Sequence, residues 1–139
     1  MNPIVKNILA VLVGIIVGGI VNSGIIAISG TLIPPPEGAD LTTIEGMEAA
    51  QDLMQPIHYL MPWLAHAVGT LVGAFLAALI AGTQEMKFAI GVGVFFLLGG
   101  IAAAYLIPAP TWFIILDLTL AYIPMGIIGG TLVKKMNKE

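Results

Sequence analysis

Four long apolar stretches constrain this chain more than any other feature of its sequence. They cover approximately residues 5–28, 62–81, 88–107 and 111–133. Each is long enough to cross about 30 Å of membrane hydrocarbon, which takes a helix of roughly 20 residues. The stretches lack the alternation of a strand, and only helices or closed barrels satisfy their backbone groups in lipid. The sequence therefore predicts an all-α, polytopic membrane protein, with one four-helix transmembrane domain over residues 1–139.

The composition excludes several other classes of protein. The chain is 58% hydrophobic and only 9% charged, whereas about a quarter of the residues of a soluble domain are charged. It has no cysteine, which excludes disulfides and thiolate metal sites. A net charge of −3 and the absence of arginine argue against a nucleic-acid partner. The lipid bilayer is the partner that this composition predicts.

The basic residues predict an orientation. All five lie in three places that share one side of a four-span protein: Lys6, Lys87, Lys134, Lys135 and Lys138. Because cytoplasmic loops are rich in lysine and arginine, both termini are predicted to be cytoplasmic in a cell (inner) membrane. The first stretch could instead be a cleaved signal peptide, but it exceeds the usual apolar length of about 7–15 residues. We therefore expect it to be retained as a helix.

The predicted outside segment, residues 29–61, is acidic. It contains five of the eight acids and no lysine: Glu37, Asp40, Glu45, Glu48 and Asp52. Thr42 and Glu45 have the spacing of a capping box, which predicts a short amphipathic helix after "PPPEG". Ile44, Met47 and Met54 lie roughly opposite the acids on that helix. The prediction is a helix across the mouth of the bundle, with its apolar side down and its acids outward.

Asp117 is the only charged residue between Lys87 and Lys134. A charge at the centre of a transmembrane helix costs at least about 2.5–3.5 kcal/mol on insertion scales, so such acids usually face a protein interior or a cavity. Counted from the predicted outer helix ends at about 1.5 Å per residue, His66 and Asn22 lie at a depth similar to that of Asp117. We predict an ion-binding or substrate-binding site formed by Asp117, His66, Asn22 and Thr70.

Two interpretations of this site stay open at the level of sequence. Asp117 and His66 could form an acid–imidazole pair suited to proton relay, or a purely structural hydrogen bond. On a continuous helix, Asp117 would lie about 140° from the Tyr122–Gly126 face. That angle suggests a different neighbour for Asp117, such as another subunit.

Small residues four apart predict close helix contacts. This spacing lets helix backbones approach in lipid, where packing replaces the hydrophobic effect. The glycines predicted to serve packing within the chain or in an oligomer are Gly14, Gly18, Gly69, Gly73, Gly126 and Gly130.

Metal chemistry has little support in the sequence. His58, with Met54 and Met61 nearby, could offer soft ligands to copper, and His66 is the only other histidine. No hydrolase elbow, phosphate loop, dinucleotide fingerprint or metalloprotease motif occurs. The sequence predicts no cofactor and no enzymatic activity.

Three functions are compatible with these features. The first is a homo-oligomeric membrane protein that passes a proton, a cation or a small solute through a site in the outer half of the membrane. The second is a non-transporting scaffold or accessory subunit whose glycine faces dock against a membrane-protein partner. The third is a membrane-embedded metalloenzyme that uses His58 and His66, for which two histidines are a thin ligand set.

Overall fold

The computed structural model describes residues 2–138, and every regular element in that part of the chain is helical. In chain order these elements are α1 (Pro3–Leu32), α2 (Ile44–Ala50), a 3₁₀ turn (Pro56–Tyr59), α3 (Leu60–Ala81), α4 (Glu85–Leu106), α5 (Thr111–Leu120) and α6 (Ile123–Met136). Four helical segments are long and apolar enough to cross a membrane: Pro3–Leu32, Pro56–Ala81, Glu85–Leu106 and Thr111–Met136. The all-helical prediction with four such helices is confirmed at this level, whereas insertion and orientation stay predictions.

The first long helix extends beyond its predicted bounds at both ends. It begins at Pro3, where the Asn2 side chain accepts a hydrogen bond from the Ile4 N–H at 2.8 Å. A proline in the first turn loses no helical hydrogen bond, so this start is favourable. The helix continues to Leu32, past the predicted end at residue 28, because the residues that follow 28 are compatible with a helix up to the prolines at 34–36.

Glycines bring α1 and α3 into backbone contact. A Cβ atom added to Gly14 would lie 2.6 Å from the Gly73 carbonyl oxygen, and one added to Gly18 would lie 2.7 Å from the Gly69 carbonyl oxygen. Cβ atoms added to Gly69 and Gly73 would lie just as close to the carbonyl oxygens of Gly18 and Gly14, respectively. This contact is the close approach that small residues allow between helices in lipid.

A second glycine contact joins α6 to its neighbours. A Cβ atom on Gly126 would lie 3.1 Å from the Ala89 carbonyl oxygen, and one on Gly130 would lie 2.9 Å from the Ala89 Cβ. A Cβ atom on Gly129, which was not among the predicted packing residues, would lie 2.9 Å from the backbone N of Phe75 on α3. The predicted glycines thus lie at contacts within one chain, and their use in an oligomer interface stays a prediction.

The two ends of the bundle differ. The end that carries the lysines, here called the lysine end, contains a tightly packed core of small side chains. Its buried members are Ala74, Ala77, Ala78, Ala89, Val92 and Val133. The opposite end carries the acidic segment between α1 and α3, and is here called the acidic end. There the helices diverge around a cavity, described below.

The fourth span is interrupted in its middle. α5 ends at Leu120, and α6 begins at Ile123 with Pro124 in its first turn. Tyr122, between them, has φ −118° and ψ −75°, outside the helical range. Because proline has no N–H and its ring clashes with the preceding turn, a continuous helix through Pro124 would be strained. The fourth span is therefore two helices separated by a break.

The acidic segment contains α2, whose start differs from the predicted one. Thr43, rather than Thr42, caps the helix by accepting a hydrogen bond from the Gly46 N–H at 3.0 Å. The Thr42 hydroxyl and N–H instead donate to the Asp40 carboxylate at 2.6 and 2.9 Å. Asp40 thus competes for Thr42 and moves the cap by one residue.

Candidate functional site

His66 and Asp117 meet at the acidic end. His66 lies in the second turn of α3, and Asp117 lies in the last turn of α5. The His66 Nδ1 atom is 2.8 Å from the Asp117 Oδ1 atom. The Asp117 residue is 5% exposed, whereas the His66 side chain is 25% exposed. The structure thus brings together the two residues that the sequence singled out, with the acid buried and the imidazole partly accessible.

Tyr122 completes the group. Its hydroxyl donates to the Asp117 Oδ2 atom at 2.9 Å, and its ring stacks on the His66 ring with a centroid distance of 5.8 Å. The expectation that Asp117 points away from the Tyr122 face is therefore wrong. That expectation assumed a continuous helix. The break at Tyr122 turns the tyrosine side chain toward Asp117, which lies five residues earlier.

Gly100 of α4 makes room for Tyr122. A Cβ atom at position 100 would lie 2.5 Å from the Tyr122 Oη atom and 2.6 Å from its Cζ atom. The neighbouring Gly99 has no atom within 4 Å of the equivalent position. Only glycine fits at position 100 without displacing the tyrosine that holds Asp117.

The hydrogen bonds define the possible charge states of the group. With Asp117 ionised, the His66 Nδ1–H and the Tyr122 O–H both donate to its oxygens. The His66 Nε2 atom makes no hydrogen bond within residues 2–138. If the imidazole is neutral, Nε2 is an acceptor and the group carries one net negative charge. If the imidazole is protonated, Nε2 becomes a donor and the group is neutral overall. The group can therefore hold or release one proton with little rearrangement.

Asp117 and His66 border a cavity of about 470 Å³. It lies among α1, the acidic segment, the 3₁₀ turn, α3, α4 and α5. Most of the lining is apolar, with methionine and aromatic side chains prominent: Met47, Met54, Met61, Tyr59 and Phe113. A volume of this size is typical of small-molecule sites, which combine an apolar wall with a few polar groups. Here those polar groups include the His66–Asp117 pair.

The acidic segment closes one side of the cavity. Met47 and Met54 line it, as the amphipathic pattern of α2 led us to expect, but Ile44 is 44% exposed and does not. Ile26 of α1 and Ile107 at the end of α4 also line the cavity and are 42% and 47% exposed. Their exposure is consistent with an opening between α1 and α4.

Exposed acids surround this end of the protein: Glu37, Asp40, Glu45, Glu48 and Asp52. The Thr42 hydroxyl and N–H hold the pKa of the Asp40 carboxyl below its usual range. Asp40 thus stays ionised at lower pH than an ordinary aspartate does. Because no basic residue lies between Lys6 and Lys87, the charge of this segment is entirely negative. Such a surface concentrates cations near the cavity.

His58 has a structural role that argues against metal binding. Its Nδ1 atom accepts the Gln55 N–H at 2.9 Å and so caps the 3₁₀ turn. A neutral imidazole that accepts through Nδ1 carries its proton on Nε2, which leaves no lone pair for a metal. Within residues 2–138, no group of three or more histidine and carboxylate side chains could hold a metal ion. Metal binding by His58 or His66 stays a prediction.

Asn22 and Thr70 lie apart from the cavity lining. Asn22 packs against Gly69 at the contact between α1 and α3, and Thr70 is 1% exposed in the interior. Their Oδ1 and Oγ1 atoms, like Nε1 of Trp63, have no hydrogen-bond partner in the described part of the chain. Neither Asn22 nor Thr70 joins the His66–Asp117 pair, so the predicted four-residue site is reduced to two of its members.

Tyr122 and Gly100 are the site residues that the sequence analysis missed. Tyr122 was noted only as part of a small-residue face, and Gly100 was not singled out. The proline two residues after Tyr122 was the available signal, because a helix break there changes the direction of every side chain around it.

No protein-family model, curated protein or solved structure matches this chain. Its function must therefore be inferred from the geometry of the site.

Proposed function

We propose that this protein is a multi-pass membrane transporter that binds a small solute in the cavity and exchanges it for a proton held by the His66–Asp117 pair. One observation carries the proposal: a buried carboxylate, hydrogen-bonded to an imidazole, borders an apolar cavity of about 470 Å³. Intramembrane acids face cavities and pathways far more often than lipid. A merely structural hydrogen bond would not require a cavity beside it.

The proposed orientation places the cavity on the outer side of a cell (inner) membrane. The lysines at the opposite end support a cytoplasmic location for both termini. The exposed acids then face outward, where they would draw cations toward the site. In this orientation the cavity lies in the outer half of the membrane.

The proposed transport step needs a conformational change. Small side chains fill the bundle interior at the lysine end, so a solute bound beside Asp117 could pass only after the inner half opens. The break between α5 and α6 is the natural hinge, because the backbone there is already free of helical hydrogen bonding at Pro124. A change in angle at Tyr122 would alter the hydrogen bond to Asp117 at the same time. This linkage would couple protonation to opening.

Proton counterflow in proteoliposomes tests the proposal. Vesicles with an internal pH dye receive one of three probes of similar size: tetraphenylphosphonium, tetraphenylborate or neutral triphenylphosphine oxide. We expect at least one probe to move protons in vesicles that contain the wild type. Asp117→Asn should lose that signal, whereas Glu85→Gln, which removes an acid at the lysine end, should retain it. Equal signals from wild type and Asp117→Asn with all three probes would overturn the proposal.

A second candidate function has one observation in its favour. Several glycines on α1 and α4 have open space where a Cβ atom would lie: Gly19, Gly24, Gly91 and Gly99. Exposed small residues on membrane helices are typical of helix–helix interfaces. They support a scaffold or accessory subunit, or a homo-oligomer, that packs through these faces. Mass measurement after gentle detergent extraction distinguishes a foreign stoichiometric partner from copies of this chain.

A further inference from the structure

We infer that the solute of the proposed transporter is an apolar organic cation with a single positive charge. This inference rests on the proposed function and names its substrate class. It follows from three independent properties of the cavity: its charge, its aromatic wall and its location among apolar helix ends.

The charge of the cavity favours a cation. Its ionisable lining groups are His58, Tyr59, His66 and Asp117, and no lysine is among them. The His58 Nδ1 atom accepts the Gln55 N–H and so caps the 3₁₀ turn rather than facing a solute charge. When His66 is neutral, Asp117 leaves one uncompensated negative charge beside the cavity. A monovalent cation would balance that charge, whereas an anion would meet the carboxylate and the acidic segment together.

Aromatic side chains supply a suitable surface for such a cation. The Tyr59 and Phe113 rings lie 5.0 Å apart, and both border the cavity. Phe113 precedes Asp117 by one helical turn on α5, and both residues are buried. The aromatic surface and the carboxylate are thus presented by the same face of one helix. Cations are attracted to aromatic faces, most strongly where water is excluded.

The remaining lining favours an apolar body around the charge. Methionine side chains, which adapt to irregular shapes, contribute Met47, Met54 and Met61. The exposed rim residues Ile26 and Ile107 would face acyl chains in the proposed orientation. A solute that partitions into lipid could enter between α1 and α4, whereas a small hydrated ion would lose its water without replacement ligands.

The same charge has to serve both the cation and the proton. One net negative charge is balanced by a proton on the His66–Asp117 pair or by the bound cation, so the two compete. Tyr122 contacts this pair, and the other titratable residues that line the cavity are His58 and Tyr59. The lining of α1 and α4 adds no titratable side chain. Binding should therefore strengthen as the pH rises and the competing proton is lost.

Calorimetric titration of the full-length protein with tetraphenylphosphonium tests this inference. We expect binding to tighten with pH, by at most about tenfold per unit for one displaced proton. Asp117→Asn should weaken binding by about 10- to 100-fold, the equivalent of one charged interaction, and should abolish the pH dependence. Glu85→Gln, which removes an acid at the lysine end, is the matched control and should change neither. Tetraphenylborate, which has the same shape and the opposite charge, should not bind at the site.

The outcomes separate this inference from the proposed function. If tetraphenylborate or triphenylphosphine oxide moves protons in an Asp117-dependent way while tetraphenylphosphonium does not, the transporter stands and the cation class is wrong. If tetraphenylphosphonium binds equally well to wild type and Asp117→Asn at every pH, the cation site is wrong. If no probe gives any Asp117-dependent proton movement or binding, both the transporter and its cation are overturned.

Discussion

At the scale of single residues, Asp117 joins three parts of the chain. Its two oxygens contact His66 on α3 and Tyr122 beyond the break in the fourth span. A lone carboxylate in apolar surroundings would be costly, and hydrogen bonds to both oxygens offset much of that cost. The same bonds fix the rotamer of Asp117 and the tilt of the imidazole. The Nε2 atom of His66 makes no hydrogen bond within residues 2–138, so it is the atom of this group that can gain or lose a proton without breaking a bond to Asp117.

Gly100 provides a test of this arrangement that leaves Asp117 itself intact. Gly100→Ala should push Tyr122 away from Asp117, because the added Cβ would lie 2.5 Å from the tyrosine Oη atom. We expect a loss of about 1–3 kcal/mol in the free energy of unfolding, as for an overpacked core position. Unfolding by detergent titration in bicelles measures it.

Gly99→Ala is the matched control for that measurement. It adds the same methyl group to the same helix, in open space. Alanine is a better helix former than glycine, so this variant should be neutral or slightly more stable. Equal losses from Gly99→Ala and Gly100→Ala would contradict the role assigned to the Tyr122 contact.

The sequence predicts only part of this residue-scale arrangement. Asp117 and His66 stand out because ionisable groups are rare in apolar stretches and costly there. The link through Tyr122 could not be predicted, because the angle between two side chains was counted on an unbroken helix. Asn22 was misplaced for a different reason. Depth along a helix axis was estimated correctly enough to pair His66 with Asp117, but depth does not specify the direction in which a side chain points.

At the scale of helices, the contact between α1 and α3 decides whether α1 is a structural part of the bundle. The backbones meet at Gly14 and Gly18 on one helix and at Gly69 and Gly73 on the other. Such a contact depends on the absence of side chains along a complete face. It also fixes the position of the end of α1, which forms one wall of the cavity.

Gly18→Ala tests this contact. The added Cβ would lie 2.7 Å from the Gly69 carbonyl oxygen, so the two helices must move apart. Because helix association in lipid depends on close packing, we expect a loss of about 1–3 kcal/mol in the free energy of unfolding. Bicelle unfolding again measures it, with Gly19→Ala as control, since position 19 is open. A Gly18→Ala variant as stable as Gly19→Ala would show that the helices do not meet there.

Small-residue spacing predicted which helix faces pack, but not which other helix each face contacts. The pattern of glycines four apart correctly marked faces on three spans. It did not identify Gly129, whose contact with Phe75 depends on the rotation of α6 after the break. The start of α2 was displaced by one residue for a similarly local reason, the competition of Asp40 for Thr42. The small-residue pattern thus predicts which helix faces pack, whereas contacts between individual residues determine which faces pair with each other.

At the scale of the whole molecule, a single chain encloses more space than its length suggested. The transport function considered from the sequence was that of a homo-oligomer. The acidic segment instead contributes Met47 and Met54 to the cavity, and α5, which the break separates from α6, contributes Phe113 and Asp117. Neither effect is visible in the hydropathy of the spans, so the cavity could not be predicted from the sequence.

The asymmetry between the two ends makes a prediction about the whole molecule in its membrane. If the acidic end faces outward, a cysteine in place of Glu48 should react with a membrane-impermeant maleimide in intact cells. A cysteine in place of Lys138 should react only after the cells are permeabilised. The chain has no cysteine of its own, so each variant carries a single reactive thiol. Both replaced side chains are exposed, which makes them comparable in access.

The unsubstituted chain is the control for this labelling, because it should remain unlabelled in both conditions. The reverse pattern, with position 138 labelled in intact cells and position 48 protected, would place the cavity on the cytoplasmic side. It would contradict the lysine-based orientation. The acids would then draw cations from the cytoplasm rather than from outside. The pairing of His66 with Asp117 would be unaffected, so this experiment decides the direction from which the site is reached.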